Sequence, residues 1–319
     1  MSDASPASTD ASQASAARVH LRLPATSANL GSGFDAAAVA LDFYLEIEAE
    51  AATEFSIAAT GHDAARCAHL KDNLLQDTYK GLLAANNRPL VPLAIQMVNG
   101  IPLGMGCGSS AAGRLAAIAL ANHFGRLGWS SDRMLEEACA LEGHPDNAAA
   151  CWWGGFVVAA NEGRKVHGTR VVPPAEWRAI VVMPAESLAT SRARAVLPEC
   201  YSRADAVANI QAAALLGLAF AQARGDLLRI AMSDRIHQPY RAPICALLPL
   251  LLPLAGNHGI LGAALSGAGP AVLVIVESEN AVPRASQAIR AAVEGLPLPA
   301  LVACRFMPDG TRVAGGQFS

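Results

Sequence analysis

Pro102-Leu103-Gly104-Met105-Gly106-Cys107-Gly108-Ser109-Ser110-Ala111-Ala112 is the stretch on which the reading of this chain turns. Three glycines at alternate positions let a backbone curl with its N–H groups pointing inward. Ser109 and Ser110 add hydroxyl donors. The run that follows, Ala111 to Phe124, reads as a helix stopped at Gly125, and the positive end of its dipole favours an anion. This is a phosphate cradle built largely from main chain, spanning Pro102, Gly104, Gly106, Gly108, Ser109, Ser110 and Ala111. It is not the P-loop NTPase pattern, because no Lys-Ser/Thr pair follows the last glycine. Ser-Ser where the helix begins also sets it apart from a dinucleotide fingerprint. The competing reading is a flexible Gly-rich loop before an ordinary helix.

Working outward, Val19 to Leu23 alternates like a strand, and Pro24 to Asp35 reads as a loop. Phe43 to Ala49 is a second strand. Asn73 to Ala85 is a helix with Asp72 as its N-cap, Leu93 to Val98 a strand, and Ser131 to Leu141 a helix started by Ser130 or Ser131. Phe156 to Ala160 and Arg178 to Met183 are strands flanking a turn-rich connection, with Pro173-Pro174 marking a domain border. A long helix over Ala204 to Ala223, strands Ile260 to Leu265 and Ala271 to Val276 around a second Gly-rich turn, and a helix over Ala285 to Val293 complete the pattern. Strands and helices mix without a βαβ rhythm, which predicts an α+β fold. The expected division is a disordered tail over 1–17, an N-terminal domain over 18–172 and a C-terminal domain over 173–319.

Composition narrows the function classes. Of 319 residues, 52% are hydrophobic and 16% charged, so the chain can bury a sizeable core. The longest apolar stretch read from the sequence, Ile244 to Ala255, is too short to span a bilayer and carries two prolines, which predicts no membrane segment. A formal net charge of −3 without charge blocks argues against a nucleic-acid binder. Seven scattered cysteines, none in a CxxC pair, fit reduced thiols in a cytoplasmic protein better than a disulfide framework or zinc site. Met1 to Ala17 lacks the features of a signal or transit peptide.

Three further motifs carry polar chemistry. Pro24-Ala25-Thr26-Ser27-Ala28-Asn29-Leu30-Gly31-Ser32-Gly33-Phe34-Asp35 offers Asn29 and Asp35 from one segment, though a tight turn explains the same glycines. Glu142-Gly143-His144-Pro145-Asp146-Asn147 lies at a helix end, where Glu142 and a serine hydroxyl supply hard oxygen ligands of the kind Mg²⁺ prefers; a solvated glutamate is the plainer reading. Leu265-Ser266-Gly267-Ala268-Gly269-Pro270, taken alone, is a hairpin connection.

In their order and spacing from Val19 to Val276 the four motifs together resemble the GHMP kinase superfamily, and within it the homoserine kinases. The carrying residues are Thr26 to Asp35, His144 to Asn147, Thr190-Ser191-Arg192-Ala193-Arg194-Ala195-Val196-Leu197-Pro198, Met232-Ser233-Asp234, Pro239-Tyr240-Arg241 and Pro308-Asp309-Gly310. The resemblance implies a two-domain fold: an N-terminal domain like domain 2 of ribosomal protein S5, then a ferredoxin-like domain, with the site in the cleft between. It implies transfer of the ATP γ-phosphate, with Mg²⁺, to the hydroxyl of L-homoserine in threonine biosynthesis, and by family habit a homodimer.

Residue by residue, the resemblance places Asn29, Asp35, His144, Thr190, Arg194 and Arg241 against the amino-acid substrate. Arginine forks suit a carboxylate and Asp35 suits an ammonium group. Surface charge or structural ion pairing is the alternative for the arginines, and loop stabilisation for His144. Asn73 is similar to a position near the adenine, with helix capping as the alternative. Ser110 and Glu142 would hold the metal; Glu136 and Glu137 are the alternatives to Glu142. Asn147 and Ser110 are the catalytic candidates. Asn147 stands where many superfamily members have an aspartate base, and an amide cannot take a proton, so catalysis rests on orientation and charge stabilisation. Asp146 is the rival base, its side chain expected to point elsewhere. Cys107 in the loop predicts sensitivity to thiol reagents. The alternative within the kinases is a member acting on a different small alcohol, and the alternative of another class is a nucleotide or metabolite sensor that has lost catalysis.

Overall fold

The computed structural model describes residues 18–315; the tail expected over 1–17 lies outside them. The first layer is a seven-stranded sheet made by β1 (Val19–Asn29), β2 (Gly33–Ala51), β3 (Ser56–Gly61), β4 (Leu93–Asn99), β5 (Phe156–Glu162), β6 (Lys165–Val171) and the last strand of the chain, β11 (Arg312–Ala314). Its main path runs β11-β1-β2-β4-β3, with β5 and β6 extending from β2. Five helices accompany it: α1 (Ala64–Ala68), α2 (Leu74–Ala85), α3 (Ser109–Phe124), α4 (Ser131–Glu142) and α5 (Asp146–Trp153).

The second sheet contains β7 (Arg178–Met183), β8 (Ile260–Leu265), β9 (Val272–Val276) and β10 (Ala300–Cys304) in the order β10-β7-β9-β8, all antiparallel. Helices α6 (Thr190–Ala195), α7 (Arg203–Ala221), α8 (Gly225–Ala231), α9 (Gln238–Arg241) and α10 (Leu248–Leu251) connect β7 to β8, and α11 (Val282–Ala292) connects β9 to β10. Taken as strands one to four, the order is 4-1-3-2, the ferredoxin-like arrangement. The chain crosses between sheets after Val171, but β11 returns to the first sheet by pairing with β1. A cut at 172/173 therefore leaves that strand with the wrong partner.

The two layers share a core. Ala179, Val181 and Met183 of β7, with Leu273 and Ile275 of β9, join the large apolar cluster of the first sheet. Their alternate neighbours Ile180, Val182, Val272, Val274 and Val276 face a second cluster with α10 and α11. Period-two side-chain alternation thus buries both faces of the second sheet and ties the layers together.

The largest departure from the sequence reading is the segment 24–35. Read as a loop, most of it is strand: β1 runs to Asn29 and β2 starts at Gly33, leaving only a short turn. From Leu23 to Asn29 every residue is buried, so polar and apolar positions do not alternate. Pro24 lacks a ladder donor, and a register shift follows it. Helix α2 is capped by Asn73, not Asp72: Asn73 Oδ1 accepts from the N–H groups of Leu75 and Gln76 at 3.1 Å. Asp72 sits at φ +57° outside the helix.

Helix α7, not 244–255, is the one described helix long and apolar enough to cross a membrane by length and composition. Its inner stripe of Leu216, Ala219 and Phe220 is buried in the shared core, with Phe220 stacked on Phe156 at 4.1 Å between centroids and edge-on to Trp177 at 5.6 Å.

Candidate active site

The Gly-rich stretch leads straight into α3, which begins at Ser109, two residues earlier than expected. Gly104, Gly106 and Gly108 all take positive φ, at +69°, +80° and +74°. The reason is packing as much as ligand access. A Cβ on Gly106 would stand 2.1 Å from Ser266 O, and one on Gly108 would stand 1.9 Å from Thr26 Oγ1. The loop is pressed between the β1 segment and the β8–β9 turn. Ser266, fully buried, donates to Gly106 O at 2.7 Å and contacts Ser27 Oγ at 2.8 Å. The N-cap Gly108 offers no side chain to the first turn of α3, so its N–H groups stay available to an anion.

This loop floors a cleft of about 620 Å³ that also receives Asn29, Asp35, Glu142, His144, Asp146, Asn147, Thr190, Arg194 and Arg241. Both layers contribute to its walls. Arg194 grips Asp35 with two bonds, of 2.8 and 3.1 Å. Arg241 is 1% exposed, donating Nε to Ala193 O at 3.0 Å and Nη1 to Gly267 O at 3.3 Å, yet among the described residues it forms no ion pair with a carboxylate. Burial pushes its pKa down, and neighbouring Arg194 adds to the effect. A buried guanidinium held by two carbonyls and His237 Nδ1, with no carboxylate paired to it, favours an incoming anion.

Two family models meet this geometry. GHMP kinases N terminal domain matches residues 69–155 and GHMP kinases C terminal matches 216–295. A homoserine kinase of Solibacter usitatus is 43% identical over 259 residues, covering 81% of this chain and 85% of its own. One from Desulfitobacterium hafniense is 36% identical over 289 residues, covering 91% and 96%. The chain belongs to the GHMP kinase family. Among solved structures, the homoserine kinase of Cytophaga hutchinsonii shares the fold with a TM-score of 0.79 at 24% identity, covering 94% of this chain and 98% of that one. A mevalonate kinase of L. major in complex with R-mevalonate follows at 0.69 and 14%, covering 89% and 95%. Fold alone therefore does not choose the alcohol.

In this GHMP kinase the expected site residues divide in two. All but Pro102 and Asn73 line the one cleft. Asn73 lines an adjoining cavity of about 910 Å³ with Leu103, Gly104, Ser109 and Ser110. Its amide is already committed, since Nδ2 donates to Cys67 O and His69 O at 3.0 and 2.9 Å while Oδ1 caps α2. It therefore shapes that cavity wall and has no free hydrogen-bonding group for a base. Pro102 is buried and lines neither cavity. Asn29 is partly committed: Oδ1 accepts from Asp35 N–H at 2.9 Å and Nδ2 donates one hydrogen to Gly267 O at 2.8 Å, locking two loops together, which leaves its second N–H for the cleft that it lines.

Glu142 reaches Ser110, whose hydroxyl donates to Oε1 at 2.7 Å, and Arg114 bonds the same oxygen at 2.7 Å. Glu137 is held by Arg133 and Arg164, and Glu136 lies 3.9 Å from Arg133. A hydroxyl and a carboxylate side by side at the phosphate loop are a donor set that fits Mg²⁺, with phosphate oxygens and water completing its shell.

Asp146 does not point elsewhere. It lines the cleft, 1% exposed, where its Oδ1 accepts from Asn147 N–H at 2.7 Å and meets His144 Nδ1. Burial opposes charging of His144, but the bond and charge of Asp146, with Asp35 beyond, outweigh it and raise its pKa. Asp146 thereby fixes the orientation of the His144 ring at the cleft wall. Cys107 contradicts the expected thiol sensitivity: it is buried, and burial pushes its pKa up to about 12, so little thiolate exists to react.

Sequence reasoning undervalued the second Gly-rich turn. Alone it read as a hairpin, and it does join β8 to β9, but Ser266 and Gly267 also brace the phosphate loop, Asn29 and Arg241. The signal was the buried-type serine between an apolar strand and two glycines.

Proposed function

We propose that this protein transfers the γ-phosphoryl group of ATP to the hydroxyl of L-homoserine, giving O-phospho-L-homoserine in threonine biosynthesis. One observation carries the reading: the main-chain phosphate cradle and an arginine pair with a carboxylate share one cleft. A zwitterion suits that second end. Its carboxylate answers Arg194 and buried Arg241, and its ammonium replaces Arg194 as partner of Asp35. Mevalonate offers a carboxylate but leaves Asp35 without a new cation, and a neutral sugar satisfies neither.

Asn147, His144 and Thr190 would border the acceptor, and the cavity walled by Asn73 would take the adenine. Mg²⁺, held by Ser110 and Glu142, would offset charge on the phosphates. The chain's own residues hold the alcohol in line with phosphorus and surround the spreading charge with N–H groups. The reading is of a cytoplasmic enzyme acting on small molecules, with neither nucleic acid nor membrane as partner; all seven cysteines are free thiols. A homodimer is part of the reading. Val207, Ile210 and Leu218 share one outer face of α7 at 47%, 67% and 54% exposure, an apolar ridge that a second copy would cover.

The test is ADP release with a panel of L-homoserine, mevalonate and galactose. Turnover with L-homoserine and at most trace rates with the others is expected. Turnover with another alcohol and none with L-homoserine would overturn the acceptor. ATP binding by calorimetry without turnover on any alcohol would favour the sensor.

A further inference from the structure

We infer that Thr26 is a positioning residue that decides which end of the Asn147 amide meets the acceptor alcohol. The inference rests on the proposed phosphotransfer to a hydroxyl. Thr26 is fully buried on β1 against the phosphate loop, its N–H donating to Cys107 O at 3.1 Å. Its hydroxyl donates to Asn147 Oδ1 at 2.6 Å. Among the described residues Thr26 Oγ1 has no other partner, so Oδ1 is where its proton goes. Turning the amide over would set Nδ2 against the hydroxyl and strand that proton in a buried site, which is costly. Asn147 lines the cleft, and its Nδ2 meets no acceptor among the described residues. The amide therefore presents N–H₂ to the substrate.

An N–H₂ group donates and cannot accept. The alcohol oxygen receives a hydrogen bond from Nδ2, its own proton is steered away from Asn147, and a lone pair is left to face phosphorus. In the transfer, the bond from the alcohol oxygen to γ-phosphorus forms as the bond from phosphorus to the β,γ-bridging oxygen breaks. The electron pair leaves with ADP. The hydroxyl proton passes to a γ-phosphoryl oxygen and then to water. Without the Thr26 hydroxyl the amide is free to turn its oxygen to the cleft, where it would attract the proton it cannot take and rotate the lone pair off line.

Thr26→Val keeps shape and burial but removes the donor, and Thr26→Ser restores it. Thr26→Val is expected to lower kcat roughly tenfold to a hundredfold with KM for ATP within about twofold. Thr26→Ser should recover most of the loss, and in an Asn147→Ala background Thr26→Val should cost nothing further. Melting curves identify a variant that does not fold, and Thr26→Ala, smaller than the native side chain, then replaces it. Unchanged kcat, no recovery with serine, or full additivity with Asn147→Ala would overturn the role. The series is run on whichever alcohol the wild type phosphorylates. A wrong acceptor then shows in the unmutated enzyme, and a wrong role for Thr26 only in the variants.

Discussion

Replacing Arg241 by methionine is expected to lower kcat/KM for L-homoserine roughly a hundredfold to a thousandfold, with KM for ATP within about twofold. The guanidinium is buried, and its described partners, Ala193 O, Gly267 O and His237 Nδ1, are all neutral acceptors. Those groups solvate the cation without neutralising it, so a substrate carboxylate supplies the missing charge in a site that water barely screens. His237 accepts from Arg241 while its Nε2 lies 2.9 Å from Gly31 O, the arrangement of a neutral imidazole, and burial pushes its pKa down. It therefore adds no competing charge. Methionine has a stem of similar length but removes the donor to Ala193 O, while Gly267 O keeps its bond from Asn29 Nδ2. Some loss of melting temperature accompanies the change, and kinetics are read where circular dichroism shows the variant folded. A similar rise in KM for both substrates, or no change for L-homoserine, would remove Arg241 from the acceptor end.

The second large effect lies in the loop itself. Gly106→Ala puts a Cβ at φ +80° and 2.1 Å from Ser266 O, with Gly269 N and O each at 3.1 Å. The obstacles are backbone atoms, so no side chain can swing aside. The loop and the β8–β9 turn must separate, breaking the Ser266 bond to Gly106 O. Strain of about 1–3 kcal/mol and a displaced cradle should follow, with kcat/KM lowered roughly a hundredfold or more. Gly163→Ala is the control. It too has positive φ, at +60°, but its Cβ would meet nothing within 4 Å, so stability should fall without a kinetic change. Equal kinetic losses in both variants would mean that glycine conformation alone, and not the fit between the two loops, sets the cradle.

Where the sequence was legible, the physics was local. The alternate glycines before α3, the Ser130 cap of α4 and the Gly125 stop of α3 are each readable within a few residues, and each is present. The substrate end was legible only through the family pattern, because nothing local brings Asp35, Arg194 and Arg241 together across more than two hundred positions. Segment 24–35 reads as a loop because small residues buried on both faces of β1 erase the period that marks a strand. Asn29 and Asn73 are placed at ligands by the family pattern alone, with capping as the alternative for Asn73. The Asn73 amide is wholly engaged in the helix cap and two carbonyls, and Asn29 clamps a loop with one of its two N–H groups. The serine between an apolar strand and two glycines marks Ser266 as buried, but its partners, Ser27 and Gly106, lie far away in sequence and are not readable locally.

The central claim is that main-chain amides around Gly104 to Ala111 enclose a triphosphate and present its end to a neighbouring alcohol. A crystal structure with a non-hydrolysable ATP analogue, Mg²⁺ and L-homoserine tests it directly. The account predicts phosphates against those amides, the amino-acid carboxylate on Arg194 and Arg241, and the hydroxyl oxygen about 3–3.5 Å from the γ-phosphorus. Density for the nucleotide away from this loop, or for the amino acid outside the cleft, would contradict it.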